Sequence, residues 1–257
     1  MMPRNGGIYS EKRCPIMSLF VMADLHLSSD RSKSMEVFGA RWAGYTEKMQ
    51  KNWCAAVKPT DTVIVPGDVS WGLRLEDTAE DFRFLDSLPG EKLIGKGNHD
   101  FWWSTQRKTE EFWNRIGAMS LHLLSNNAFL REGVLIAGTR GWFLDEEQQR
   151  TVGEVDYAKI INREVIRLRM SLDAAVRLRQ TEAPQAPICV FFHFPPVWGD
   201  FVCREITEVL HEYGIRDCWF GHIHGAYSAP PTLIYEGIRF TNCAADYLNF
   251  APLPIEL

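Results

Sequence analysis

Two short blocks each place a pair of metal-binding donors two positions apart: Asp24-Leu-His26 near the start of the chain and His222-Ile-His224 near its end. In an extended segment residues i and i+2 project to one side, so either pair could grip a single cation. Between them stand Gly67-Asp68, Gly97-Asn98-His99-Asp100 and His193-Phe-Pro-Pro. A carboxylate has two oxygens and can bridge two cations, which an imidazole cannot; this makes Asp68 the natural bridging candidate. Asn98 offers a neutral amide oxygen, which limits the negative charge gathered around two dications. Gly67, Gly97 and Gly221 each precede a candidate ligand, where a missing side chain lets the backbone turn sharply and approach an ion. Pro195 and Pro196 stiffen the loop after His193.

Donors two hundred positions apart meet only if the fold gathers them. Short apolar or β-branched runs alternate with longer amphipathic stretches, the signature of an α/β chain. Strands are predicted over Leu19–Ala23, Thr62–Val65, Lys92–Ile94, Val134–Ala137, Ile188–Phe192, Cys218–Phe220, Thr232–Tyr235 and Ile238–Cys243, the last two joined at Glu236-Gly237 as a hairpin. Helices are predicted over Ser34–Val57, Glu76–Leu88, Ser104–Ile116, Glu154–Gln180 and Arg204–Tyr213, with Pro89-Gly90, Gly117 and Gly214 as stops and Thr151 to Glu154 as a capping box. Every donor block stands at a strand exit, and in an open α/β sheet ligands gather beyond the carboxyl ends of the strands. Taken singly, an Asp or His at a strand end is more simply a cap or a satisfied polar group. Jointly that reading fails, because burying so many ionisable groups without a cation costs on the order of several kcal/mol each.

The chain has 257 residues, 46% of them apolar and 24% charged, which fits a globular molecule with a sizeable core. With 28 Lys and Arg against 33 Asp and Glu, a net charge of -5 and no run of like charge, it lacks the basic stripe by which proteins coat nucleic acid or acidic membranes. The six cysteines, at 14, 54, 189, 203, 218 and 243, have no zinc-finger spacing and read as free thiols of a reducing compartment. No apolar stretch approaches the ~20 residues that span a bilayer. The first fifteen residues hold no apolar signal-peptide core, so the expected location is cytoplasmic. Residues 1–16 show no periodicity and Met17 directly precedes the first strand; they read as a disordered extension or an upstream start, and 17–257 as a single domain.

The order and wording of the donor blocks, D-x-H, G-D, G-N-H-D, H and G-H-x-H from Asp24 to His224, resemble the calcineurin-like metallophosphoesterases. Any one block is a weak signal; five in sequence, each at a predicted strand exit, make a strong one. The resemblance implies a four-layer α-β-β-α sandwich, two mixed sheets packed face to face with helices outside. It implies two divalent transition-metal ions (Mn, Fe, Zn or Ni, with Mn favoured). One would take Asp24, His26, His224 and the bridging Asp68, the other Asp68, Asn98, His193 and His222. It further implies phosphoester hydrolysis by a hydroxide shared between ions ~3.5 to 4 Å apart, with His99 as imidazolium protonating the leaving alkoxide. The protein Ser/Thr phosphatases of that superfamily carry G-D-x-x-D-R-G, whereas Gly67-Asp-Val-Ser-Trp-Gly72 lacks both the Asp and the Arg. This points to a small-molecule or nucleotide-like mono- or diester as substrate, and leaves Asp100 as a candidate to orient His99.

Arg74 and Arg140, each a few residues past a strand exit, are candidate forks for a phosphate oxygen, against the plainer role of solvated loop residues. Trp102, within Phe101-Trp102-Trp103, could stack on a base or aromatic leaving group, as could Trp71 and Trp142, although large aromatics more often fill cores. His122 and His211 have no motif around them, and Asp217 suits a turn or cap. In the longest helix Ile161, Val165, Leu168, Leu172 and Ala175 form one apolar stripe; Arg163, Arg167 and Arg177 lie off it and read as a solvated outer face rather than a binding face. Two other classes of function stay open. A nuclease of the same fold is disfavoured by the acidic balance, and a non-catalytic metal-binding scaffold by the complete donor set and His99. No membrane partner is expected, and the oligomeric state is unassigned. Removing residues 1–16 is expected to leave the melting temperature and activity unchanged in thermal denaturation and phosphoesterase assays; loss of soluble protein would refute the extension.

Overall fold

A computed structural model describes residues 18–29, 35–143 and 157–257. The extension at 1–16, residue 34 of the first predicted helix, the capping box at 151–154 and parts of the loops 27–33 and 139–150 lie outside the described residues.

Alternating apolar side chains build two large mixed sheets. In the first, β1 (Leu19–Val21), β2 (Thr62–Pro66), β3 (Glu91–Gly95) and β4 (Leu121–Leu123) run parallel side by side, and β13 (Leu253–Pro254) closes the β1 edge antiparallel. In the second, the spatial order is β5 (Phe129–Arg131), β6 (Val134–Thr139), β7 (Ile188–Phe192), β10 (Asp217–Phe220), β12 (Ile238–Asn242) and β11 (Thr232–Tyr235). Its four central strands are parallel and both edges antiparallel. A two-stranded ribbon, β8 (Val197–Trp198) and β9 (Phe201–Val202), follows His193.

The period of two along each strand sorts side chains between two faces, and both faces are buried. Phe20, Val63 and Ile94 of the first sheet pack on the helices α1 (Tyr45–Ala56), α2 (Ala79–Ser87) and α3 (Gln106–Ile116), through Met49, Trp53, Phe82 and Trp113. Val190, Phe192 and Phe240 of the second sheet pack on α4 (Tyr157–Thr181) and α5 (Arg204–Glu212), through Leu168, Leu172, Ile206 and Leu210. The opposite faces meet each other: Val21, Ile64 and Leu93 against Ile136, Cys189, Phe191 and Trp219. Three apolar layers therefore separate helices, sheet, sheet and helices, the four-layer arrangement expected from the motifs.

Predicted and observed elements differ where strands are very short or a helix is interrupted. β4, β5, β8, β9 and β13 span two or three residues each, too few for a period to register. The helix expected over 34–57 is instead two 3-10 turns, Met35–Phe38 and Ala40–Trp42, followed by α1. Gly39 and Gly44, at φ 122° and 58°, bend the chain away from helical geometry. The break turns Trp42 inward, where it is buried against Tyr45 and Phe250. The expected hairpin is present, with Glu236 and Gly237 both at positive φ in the two-residue turn. Of the α4 stripe, Ile161, Leu168, Leu172 and Ala175 are buried and Val165 partly so. Among the described residues the cysteines form no disulfide, and no helix is long and apolar enough to cross a membrane.

Trp219 stacks on Phe191 between the sheets, ring centroids 5.0 Å apart and 14° from parallel. Trp219→Ala is expected to cost about 3–5 kcal/mol in chemical denaturation, the range for emptying a large aromatic site in a packed core.

Candidate metal centre

The chain crosses between layers at the carboxyl ends of the central strands. Ala23 N–H donates to Cys243 C=O at 2.8 Å and Ala245 N–H to Ala23 C=O at 2.9 Å, joining the exit of β1 in one sheet to that of β12 in the other. This joint sets Asp24 beside the β10 exit, where His222 N–H donates to Asp24 Oδ2 at 2.9 Å. The exits of β2 and β3 are held together by Asp100. Its buried carboxylate accepts Asp68 N–H and Val69 N–H at 2.9 Å, Gly97 N–H at 2.7 Å and Trp102 Nε1–H at 2.9 Å.

Backbone and side chain approach so closely here that residue size is constrained. A Cβ on Gly221 would lie 2.5 Å from Asp24 Oδ2, and one on Gly97 would overlap the Asp68 carboxylate. Asp24, His26, Asp68 and His222 have φ of 60°, 44°, 52° and 67°, left-handed values uncommon for side-chain-bearing residues and costing about 1–3 kcal/mol each. Asp24 and His26 thus do not project from an extended strand as their spacing predicts; they stand on a left-handed turn, with Leu25 between them packed into the helix-side core.

The donors converge. His26 Nε2 lies 3.2 Å from His224 Nε2 and 3.8 Å from Asp68 Oδ2. His193 Nε2 lies 2.6 Å from Asn98 Oδ1 and 3.5 Å from Asp68 Oδ2, and its Nδ1 is 3.6 Å from Asp24 Oδ1. His224 Nε2 is 3.8 Å from the same Asp24 oxygen. Two groups of three have mutual spacings suited to one ion each: Asp24, His26, His224 and Asp24, Asp68, His193. His222 and His99 line the cavity above them. Asp68 Oδ2 stands between His26 and His193, the place a bridging oxygen needs, while Asp24 Oδ1 spans the two groups as well.

Three inward atoms, Asp24 Oδ1, Asp68 Oδ2 and His193 Nδ1, are buried without a hydrogen-bond partner. Buried polar atoms are otherwise almost always paired, so this cluster is built for a species that the protein's own groups do not supply. Titration points the same way. Burial lifts the Asp24 carboxyl to about 7 against the pull of His224, and burial with the nearby Asp100 and Asp24 charges lifts Asp68 well above the carboxylate range. Burial, reinforced by neighbouring imidazoles, holds His26 and His193 well below the usual histidine range. Carboxylates that take up protons beside imidazoles that shed them describe a site short of non-proton positive charge, and divalent cations fit it.

Asp246, at the exit of β12, was not singled out by the sequence motifs. It is fully buried and accepts His224 Nδ1–H at 2.8 Å, Gly225 N–H at 3.1 Å and Tyr227 O–H at 2.9 Å. Burial alone would depress the His224 ring's pKa, but its bond to Asp246 and the charges of Asp24 and Asp246 raise it. With Nδ1–H committed to Asp246, His224 turns Nε2 toward Asp24 and His26. The sequence marks it with no pattern: Asp246 stands alone after Ala244-Ala245, four residues past the end of β12.

Three expected substrate contacts lie elsewhere. Trp102 is buried in the helix-side core, edge-on to Phe82 at 4.8 Å with its N–H given to Asp100; it supports the Asp100 clamp and does not reach the cavity. Arg74 has a 77% exposed side chain paired with Asp77 at 2.9 Å, away from the centre. Arg140 lines a neighbouring cavity instead of the one above the donors. Asp100 does not orient the His99 ring, because its oxygens are taken by backbone N–H groups and Trp102. Trp71 is a cavity wall, its ring 4.4 Å from that of His99 and 5.2 Å from that of His26. His122 and His211 sit at the surface near Glu91 and Glu236, and Asp217 pairs with Arg239.

A cation binds the deprotonated carboxylates. Its affinity is therefore expected to rise with pH through about 7, where Asp24 loses its proton, by up to about tenfold per pH unit for each proton displaced. For the metal-free protein the sign is opposite. A raised carboxyl contributes stability that is complete below its usual 3.8 and lost as pH rises through about 7. Thermal shift with Mn(II) should thus show a larger gain in Tm at pH 8 than at pH 6; an equal gain at both would contradict the assignment.

The sequence profile of the calcineurin-like phosphoesterases matches residues 17–226. No curated protein matches the chain. Among solved structures, the phosphopantetheinyl hydrolase of Mycobacterium tuberculosis is similar at a TM-score of 0.51 and 15% identity, covering 93% of this chain and 95% of that one. A protein of unknown function from Aquifex aeolicus is similar at a TM-score of 0.45 and 16% identity, with the same coverages. At 15% identity the likeness to the hydrolase is one of fold. The profile match extends over most of the sequence and contains every donor block from Asp24 to His224, and the chain belongs to the calcineurin-like phosphoesterase family.

Proposed function

We propose that the protein is a metal-dependent phosphoesterase acting on small mono- or diesters whose organic part is apolar or aromatic, nucleotide-like esters among them. The observation that carries this reading is the convergence of unpartnered Asp24 Oδ1 and Asp68 Oδ2 with four imidazoles beneath one cavity. Asp24, His26, His224 and Asp68 would hold one divalent cation, and Asp68, Asn98, His193 and His222 the other, with manganese favoured for both. When bound, the pair supplies Lewis acidity toward phosphoryl oxygens and an activated water as nucleophile near neutral pH.

The chain's own groups do the rest. The cavity of about 900 Å³ is the size of a small-molecule site. Trp42, Trp71, Phe143, Trp198 and Tyr227 wall it, and among the described residues no lysine or arginine lines it. Such a mouth grips one phosphoryl group at its floor and an apolar or ring-bearing remainder at its wall. It offers nothing to a second charged group, which disfavours a nuclease that must track a polyanionic strand. His99 lines the same cavity and gives its backbone N–H, at 2.8 Å, to Asp68 Oδ1. Among the described residues no hydrogen bond reaches its ring nitrogens; Trp71 and Phe101 position the ring by packing, at 4.4 and 6.2 Å. Burial and the nearby His224 hold the free ring below the usual histidine range, so it would take up its proton beside a bound phosphoryl anion and give it to the leaving oxygen.

His99→Ala is expected to keep its metal content, measured by elemental analysis, while turnover falls about 10²–10⁴-fold, the usual worth of a general acid. Aryl phosphate and aryl phosphodiester should be compared with single-stranded DNA. Hydrolysis of an aryl ester with DNA left intact supports the proposal, and metal-replete protein inert toward all three would overturn it in favour of a binding scaffold.

A further inference from the structure

Beside the metal centre lies a second cavity, of about 490 Å³, with the opposite chemistry. It opens where the exits of β3 and β4 in one sheet face that of β6 in the other. Three cationic side chains, Lys96, Arg140 and Arg167, line it against a single carboxylate, Glu164. Glu164 has a side chain only 1% exposed; it accepts Arg167 Nη1–H at 2.6 Å and Thr139 Oγ1–H at 2.7 Å, and lies 3.6 Å from Arg140 Nη2. One carboxylate does not balance three cations. Arg167, half-exposed on the outer side of α4 as expected, also reaches Glu164 at the cavity rim.

Two of the three cations have donors to spare. Among the described residues no hydrogen bond engages Lys96 Nζ, which lies 5.9 Å from the Trp103 ring. Arg140 Nε is buried without a partner, and the guanidinium lies 5.6 and 5.8 Å from the Trp142 and Phe194 rings. Burial lowers the Arg140 guanidinium below the usual arginine range. Half-buried like charges with unused donors are unfavourable on their own account, and an incoming oxyanion would relieve both the repulsion and the missing hydrogen bonds. The hydroxyl-bearing residues Ser125 and Thr139 lie on the same wall.

We propose that this cavity is a second anion site that takes a phosphate-type oxyanion, with the Arg140 fork, Lys96 and Arg167 as its charge partners. It is separate from the metal centre and joined to it by the loop from Lys96 to Asp100. The oxyanion belongs either to a second phosphoryl group of the substrate or to a free phosphate compound.

The test uses the metal-loaded protein and inorganic phosphate as the probe. Calorimetric titration should resolve a phosphate site that weakens by about tenfold or more in Lys96→Met/Arg167→Leu, the loss expected for charge-assisted hydrogen bonds. Should that variant fold poorly, Arg167→Gln, at a half-exposed helix position, should weaken the same site in the same direction. Phosphate binding unchanged by either substitution overturns the proposal. The readout is binding, so absence of hydrolysis, which would sink the phosphoesterase reading, leaves this result intact. The source of the oxyanion follows from kinetics. A fall in kcat/KM for a bis-phosphorylated aryl ester relative to the mono-phosphorylated one assigns the site to the substrate; an unchanged ratio beside the calorimetric loss assigns it to a free phosphate compound.

Discussion

Mutual repulsion and desolvation among buried, like-charged ligands govern the end of this molecule where its two sheets meet. Asp24 and Asp68 each direct one oxygen into a space where no hydrogen bond answers it, and His26 faces His224 nitrogen to nitrogen at 3.2 Å. A protein built of its own groups alone has only protons to relieve such a site, hence carboxyls pushed up and imidazoles pushed down. Divalent cations remove the conflict at once, because each prefers the ionised carboxylate and the neutral imidazole.

The surrounding structure can be read as what holds those ligands against their preference to separate. Left-handed backbone at Asp24, His26, Asp68 and His222 is local strain, tolerated because both sheet faces are packed and the exits are hydrogen-bonded across the layers. Asp100 spends its carboxylate on backbone N–H groups of two adjacent loops, and Asp246 spends its own on His224, Gly225 and Tyr227. Neither is aimed into the cluster. Both set where the aimed residues stand.

The two adjoining cavities carry opposite chemistry. One is aromatic-walled above the donors, and the other is cationic beside them. Segregating cations from the metal centre has a physical logic: a lysine or arginine among the ligands would compete with the ions for the same carboxylates. Placed one loop away, Lys96 and Arg140 keep their charge without occupying the coordination sites.

The amino-acid sequence by itself determined the α/β class, eight of the strands, and the Asp, Asn and His blocks that the structure brings together at the strand exits. These are written in local patterns: period-two apolar runs, and short blocks of Gly, Asp, Asn and His at strand exits. It did not determine the two-residue strands, too brief to carry a period, or the break that turns Trp42 inward. Nor did it separate Trp102, a core residue serving Asp100, from Trp71, a cavity wall, since both are tryptophans a few residues past a strand. Asp246 escaped for the same reason: a single aspartate after two alanines has no pattern, and its use appears only when β12 lies beside β10 and brings it to His224. Residue type and spacing fix what a side chain can do within a few positions along the chain. Which way it points, and what it meets from two hundred residues away, is decided by the packing of the layers, and that is a property of the tertiary structure alone.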